Sequence, residues 1–178
     1  MARPRAHLDT DALARAFAAD GLRGTPIAHV AACAGLAKPT LYERGGDKEE
    51  LFALAIEGEV ERLIERLDTA RGAGDRLVGV AAALDGYVRE RPDGARLILL
   101  TAHHERSRVA RRVKRALARV PPAVEEALDA GDAPLLGAAL LGCTVAALDG
   151  GPSVRALADL LRRGAPAHAQ PPTELWTA

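Results

Sequence analysis

The sequence predicts an all-α protein, and three observations carry that prediction. Apolar residues recur at three- and four-residue spacing through most of the 178 positions, which is the period of a helix face. The chain is 48% hydrophobic but only 3% aromatic, and its wealth of alanine and leucine favours helices packed through small aliphatic contacts. No segment alternates apolar and polar residues as a half-buried strand would, and no internal repeat is visible. With 27% charged residues, the composition excludes a mostly disordered chain. The length suits one domain, or one small module fused to a larger one.

The elements follow in order. Asp9 or Thr10 caps a first helix that puts Leu13 and Phe17 on one face and ends at Gly21. Thr25-Pro26 opens a second, as a capping hydroxyl followed by proline at the first helical position. It carries Ile27, Val30 and Ala31 inward as far as Ala34, and Gly35 supplies a left-handed turn. A short helix from Lys38 to about Arg44 turns Leu41 inward, and Gly45-Gly46 breaks it. Asp47 and Glu50 form a capping-box-like pair for a long helix over about 47–68, striped by Phe52, Ile56, Val60, Leu63, Ile64 and Leu67. Gly72-Ala73-Gly74 turns the chain into a helix faced by Leu77, Val80, Leu84 and Val88, which Pro92 stops. Residues 93–103 are expected as a short apolar helix, followed by Val109, Val113, Leu117 and Val120 alternating with arginines up to Pro121-Pro122. Two late helices are expected, about Pro134–Leu148 and about Val154–Arg163, the second capped by Ser153 and ended by Gly164. The proline-bearing tail 165–178 is expected to be disordered, with Trp176 free to dock.

Charge is informative only by segment. Lys and Arg together number 24 and so do Asp and Glu, for a net charge of zero. Residues 47–68 hold three basic and eight acidic groups, −5, whereas residues 69–119 hold twelve and five, +7. The total excludes a uniformly basic coat but not a local basic footprint. Cys33 and Cys143, far apart and unclustered, exclude a disulfide scaffold and a Cys-rich zinc site. They read as small buried hydrophobes in a reducing compartment. The first five residues hold no apolar signal core, and no run of about 18 apolar residues occurs. A cytoplasmic protein without membrane contact is expected.

Two short helices joined by a tight glycine turn, at 26–34 and 38–44, are a helix-turn-helix arrangement. A short second helix can lie in a major groove only if the first crosses behind it. Both need an apolar seam to the rest of the domain, here Ile27, Val30, Leu36 and Leu41. The outer face offers Lys38, Thr40, Tyr42 and Arg44 to phosphates and base edges. Spacing alone leaves an ordinary helical hairpin equally open.

The residues also match a family. Gly21-Leu22-Arg23-Gly24-Thr25-Pro26-Ile27, Val30-Ala31, Ala34 through Tyr42, and Gly46-Asp47-Lys48-Glu49-Glu50-Leu51 resemble the tetracycline-repressor (TetR) family of bacterial transcription regulators over roughly residues 8–60. The resemblance implies a helix-turn-helix three-helix DNA-binding module (about 3–63, motif about 26–45), joined by a long helix to an all-α ligand-binding and dimerisation domain (about 64–164). It implies that Thr25 caps its helix and contacts a phosphate, and that Lys38, Pro39 and Thr40 meet bases at the start of the recognition helix. Tyr42 and Lys48 fall where the family binds phosphates, and a helix start favours an anion in any case. There are three departures. Ala37 stands where a capping serine is common, leaving Lys38 as a second candidate for the cap position. Glu43 puts an anion near DNA. Gly45 replaces a buried phenylalanine, so room is expected there and Gly45→Leu should be tolerated.

Other groupings are weaker. Arg108, Arg111, Arg112, Arg115 and Arg119 form one helical stripe, either a solvated face or an accessory anion surface. His103-His104-Glu105 suggests metal ligands, but adjacent histidines diverge by about 100° on a helix. No catalytic set, metal site or cofactor is expected. The helix at 134–148 is apolar nearly all round, so something must cover both sides. Leu136, Ala139, Leu140, Cys143 and Ala147, with Leu157 and Leu161, are expected to build a four-helix interface between two copies. Leu77, Leu84, Tyr87, Leu97, Leu100 and Leu117 are expected around an apolar pocket. The reading is a homodimeric repressor, released from a palindromic double-stranded DNA operator by an unknown small-molecule effector. A metal enzyme using His103, His104 and Glu105, and a regulator answering to a partner protein, are the competing readings.

Overall fold

The computed structural model describes residues 8–72, 74–101, 108–129, 131 and 133–163, with backbone alone at 100 and 101. Among them are eleven α-helices and one π turn, and no strand. In chain order the helices are α1 (Thr10–Phe17), α2 (Gly21–Gly24), α3 (Ile27–Cys33), α4 (Lys38–Gly45), α5 (Lys48–Ala70), α6 (Arg76–Glu90), α7 (Pro92–Arg96), α8 (Ala110–Leu117), α9 (Val120–Leu128), α10 (Ala133–Leu148) and α11 (Val154–Arg163). The π turn, Leu97–Thr101, continues α7. The tail, Trp176 and His103-His104-Glu105 lie outside the described residues, as does Gly164.

α5 is the spine, packed against α1, α6, α8 and α9. Phe17 of α1 meets Phe52 of α5 edge to face, with ring centroids 5.2 Å apart at 88°, a geometry that suits the ring quadrupoles. Because α5 runs unbroken from 48 to 70, the expected boundary near residue 63 falls inside a helix that both parts share. One buried cluster extends from Leu13 through Leu63 and Leu97 to Ala158.

Caps explain several boundaries. Asp9, not Thr10, caps α1, accepting from the amides of Asp11 and Ala12. Asp47 caps α5, accepting from Glu49 and Glu50 at 3.0 and 3.1 Å. The Glu50 carboxylate does not close the expected box and turns to Arg112 instead. Ser153 caps α11. Gly35, at φ 62°, ends α3: its own N–H donates to Ala32 O and that of Leu36 to Ala31 O, the paired bonds of a left-handed C-terminal turn.

Four expectations about elements are corrected. The first helix stops at Phe17, and the short α2 fills the gap. Pro26 is the N-terminal flank of α3, not its first residue, and Thr25 makes no cap. Pro121-Pro122 opens α9 where a stop was expected, because proline's missing N–H costs nothing in a first turn. Gly45 is buried with no room beside it: a Cβ there would collide with the Leu51 and Leu8 side chains. The left-handed residue of that turn is Gly46, at φ 79°.

The opposed charge blocks turn out to be partners. Arg108 pairs with Asp47 and Glu49, Arg112 with Glu50 and Glu57, and Arg119 with Glu61. Three of the five arginines of the stripe therefore form a ladder fastening α8 and its flanks to α5. Arg111 and Arg115 face solvent.

Candidate nucleic-acid interface

α3 and α4 form the helix-turn-helix, with Val30, Ala31 and Leu41 buried beneath it. Ala37 flanks the start of α4 and supplies no side-chain cap, and Pro39 sits in the helix's first turn. Lys38, Pro39 and Tyr42 are exposed, Thr40 and Arg44 half-exposed, so α4 offers a lysine, two hydroxyls and a second cation. Glu43 is exposed among them.

Thr25 is placed differently from expectation. Its side chain is buried, and its hydroxyl donates to Ala16 O at 3.4 Å, so that hydroxyl does not face a phosphate. The carbonyl of Thr25 accepts from Lys48 Nζ at 3.0 Å. Lys48 thereby ties the start of α5 to the start of α3, with its ammonium at the point where both helix N-termini converge.

Behind the interface, a buried ionic cluster joins α1, α5 and α6. Glu59 is fully buried. It accepts from the Tyr87 hydroxyl at 2.9 Å, from Arg91 Nε and Nη2 at 3.0 and 2.6 Å, and from Arg62 Nη1 at 3.2 Å. Arg62 and Arg91 both also hold Asp11 on α1, and Arg62 donates to Thr10 Oγ1 at 2.6 Å. Hydrogen bonding from Arg91 holds the Asp11 carboxyl below its ordinary value, with the Arg62 charge adding to it. Burial, then the Glu59 charge, pushes the Tyr87 phenol far above its own. Buried charge is tolerable only when paired and fully hydrogen-bonded. Sequence reading overlooked Glu59, although a signal was there: it lies three residues after Ile56 and four before Leu63, on the core stripe itself.

Of the residues expected around a ligand, Leu84, Tyr87, Leu97 and Leu117 share one buried cluster, with Leu77 packed against it. Leu84, Tyr87 and Leu97 are packed in the core, Leu77 is half-buried, and the Leu100 side chain lies outside the described set. Leu117 lines an apolar cavity of about 220 Å³, with Ile98 and Leu99 of the π turn, Val120 and Pro121 of α9, and Leu141, Gly142 and Val145 of α10. Sequence pattern missed it because its walls come from the edges of four elements, not from one helix face.

Among the residues expected at a dimer interface, Leu140 is fully buried within the monomer, beside Gly137 and Thr144 on the inward face of α10. Leu136, Cys143, Ala147 and Leu157 are half-buried, while Ala139 and Leu161 are exposed. The outward face adds Leu135, 74% exposed, and Leu160, 52% exposed. Among the described residues no cluster of His, Cys, Asp and Glu is placed to hold a metal ion. No single described helix is long and apolar enough to cross a membrane.

An all-α chain that presents the second helix of a helix-turn-helix with exposed and half-exposed cations has the architecture of helix-turn-helix regulators. Residues 10–55, about a quarter of the chain, match the family model of bacterial regulatory proteins, tetR family. No curated protein sequence matches the chain. Among solved structures, it resembles a TetR-like transcriptional regulator from Rhodococcus sp. RHA1 at 28% identity and TM-score 0.64, covering 90% of this chain and 93% of that one. Fatty-acid regulator structures share its fold: FadR from Bacillus subtilis, solved with stearoyl-CoA, gives TM-score 0.67 at 16% identity, covering 86% and 94%. FadR from Bacillus halodurans gives 0.66 at 16%, with the same coverage.

Proposed function

We infer that the protein is a cytoplasmic homodimeric repressor that leaves a palindromic operator when a small apolar ligand enters the second domain. The observation that carries the reading is the surface of α4, where Lys38, Pro39 and Tyr42 stand exposed above a buried seam. Two copies suit such a module, because recognition helices about 34–36 Å apart enter successive major grooves. The bare face of α10 and α11 is the surface for that pairing.

The cavity between α8, α9, α10 and the π turn is the candidate effector site. Its 220 Å³ lies below the roughly 300–1,000 Å³ of sites that enclose drug-sized ligands, and its lining is aliphatic. A short alkyl or acyl chain fits that chemistry better than a flat aromatic. The FadR neighbour's stearoyl-CoA is a long-chain relative of that class. Leu117, the last residue of α8, and Val120, the first of α9, wall the cavity, and the arginine ladder fastens α8 to α5. A ligand preferring a shifted α8 would therefore move the helix whose start carries Lys48, and only that differential affinity can weaken DNA binding.

The test separates readout from positioning. Duplexes selected by the protein from a random-sequence library should contain an inverted repeat. Lys38→Ala should cost about 1–3 kcal/mol on the selected duplex and relax discrimination at one base pair per half-site. Lys48→Ala should weaken all sequences alike and flatten the log–log salt slope by about one. Uniform loss with Lys38→Ala would remove the recognition helix from this role.

A further inference from the structure

Arg108 belongs to the second domain, yet its guanidinium lies on the first turn of α5. Its Nη2 pairs with Asp47, the cap of that helix, its Nε stands 3.3 Å from Glu49 Oε2, and its Nη2 lies 3.9 Å from Glu50 Oε1. One turn further on, Arg112 takes Glu50 at 2.5 Å and Glu57 at 2.6 Å. The same first turn presents Lys48, held 3.0 Å from the Thr25 carbonyl.

Three carboxylates therefore surround the point where a phosphate must approach Lys48 and the start of α5. Asp47 cannot be dispensed with, because it satisfies two amides of the first turn. A helix start draws anions, but an uncompensated carboxylate about 7 Å from a phosphate in water weakens binding on the order of threefold. Arg108 cancels that repulsion for two of the three, and Arg112 for the third. Arg108 is itself exposed, so its ion pairs add little to folding; their consequence is local charge.

We propose that Arg108 is a positioning residue for DNA binding, supplied by the second domain: it neutralises Asp47 and Glu49 so that Lys48 and the start of α5 can accept a phosphate. The inference rests on the DNA-binding reading above. It also joins binding to the effector domain, since Arg108 lies two residues before the start of α8.

The probe is a duplex selected by the wild-type protein from a random library. If the wild type enriches no sequence, the DNA-binding reading fails, and this inference with it. Otherwise, fluorescence anisotropy at two salt concentrations and a thermal melt are measured for Arg108→Ala and Arg108→Lys. The same substitutions are repeated in a background of Asp47→Asn and Glu49→Gln, where asparagine keeps the cap. Arg108→Ala should weaken binding about three- to tenfold with no change in melting temperature, less at high salt, and Arg108→Lys should recover most of it. In the neutralised background, Arg108→Ala should cost less than about twofold. Equal losses in both backgrounds would make Arg108 a direct phosphate ligand and overturn the proposal. So would unchanged affinity of Arg108→Ala, or a loss that tracks a fall in melting temperature.

Discussion

At Gly45 the missing side chain reflects what lies opposite. Leu51 is fully buried and Leu8 half-buried against it, and together they occupy the volume that an aromatic side chain at position 45 would need. The gap is filled from α5 and from the segment before α1, which no inspection of position 45 alone reveals. Gly45→Leu should therefore lower stability by about 1–3 kcal/mol through overpacking, outweighing the roughly 1 kcal/mol gained by removing glycine from a helix. Thermal or urea melts would measure it. A neutral or stabilising result would show that Leu8 and Leu51 can vacate the site. Glu59 makes the complementary point: a charge on a core stripe is held by Tyr87, Arg91 and Arg62 arriving from two elements.

Among the elements, those with a strong 3.6-residue stripe and a side-chain cap were legible in advance. α5 and α11 fall within two or three residues of expectation because Asp47 and Ser153 mark their starts. α9 was not legible, since a proline pair signals a stop and a start alike and only the packing of Val120, Val124 and Leu128 decides. The use of the arginine stripe was hidden for a related reason. Helical spacing shows that the cations share a face, but not that an acidic helix lies across from it. The ladder and the ion pairs of α1 share a pH signature. Hydrogen bonds from Arg119 hold Glu61 below its ordinary value; those from Glu50 N–H, then Arg108, do the same for Asp47, and Arg91 does so for Asp11. A carboxyl depressed in the folded state contributes stability above its unfolded pKa, and that contribution is lost as pH falls through the folded value. Melting temperature should therefore be flat from about pH 7 to 5 and decline below the unfolded carboxylate range near about pH 4. The decline should be reduced in Asp11→Asn. An acid limb unchanged by Asp11→Asn would mean that the α1 ion pairs contribute nothing to folding.

For the molecule as a whole, the fold confines any second copy to surfaces the core leaves open. α10 buries Gly137, Leu140 and Thr144 inward and leaves Leu135, Ala138, Ala139, Gly142 and Ala146 outward, while α11 leaves Leu160 and Leu161 exposed. Sequence apolarity could place this helix between two bodies of protein. It could not say which side faced which, because a helix apolar all round has no phase to read. Ala139 is exposed, so an arginine there can remain solvated in a monomer and leave the fold intact. In a packed dimer the same arginine is buried without a partner, at a cost of several kcal/mol. Ala139→Arg should thus yield a folded monomer by light scattering, with a far-UV spectrum like that of the wild type. Binding should fall much more on a two-half-site duplex than on a single half-site, because only the former draws on both recognition helices at once. A dimer that persists with Ala139→Arg would move the interface off α10, and the spacing of the two α4 helices would then have to be set by another surface.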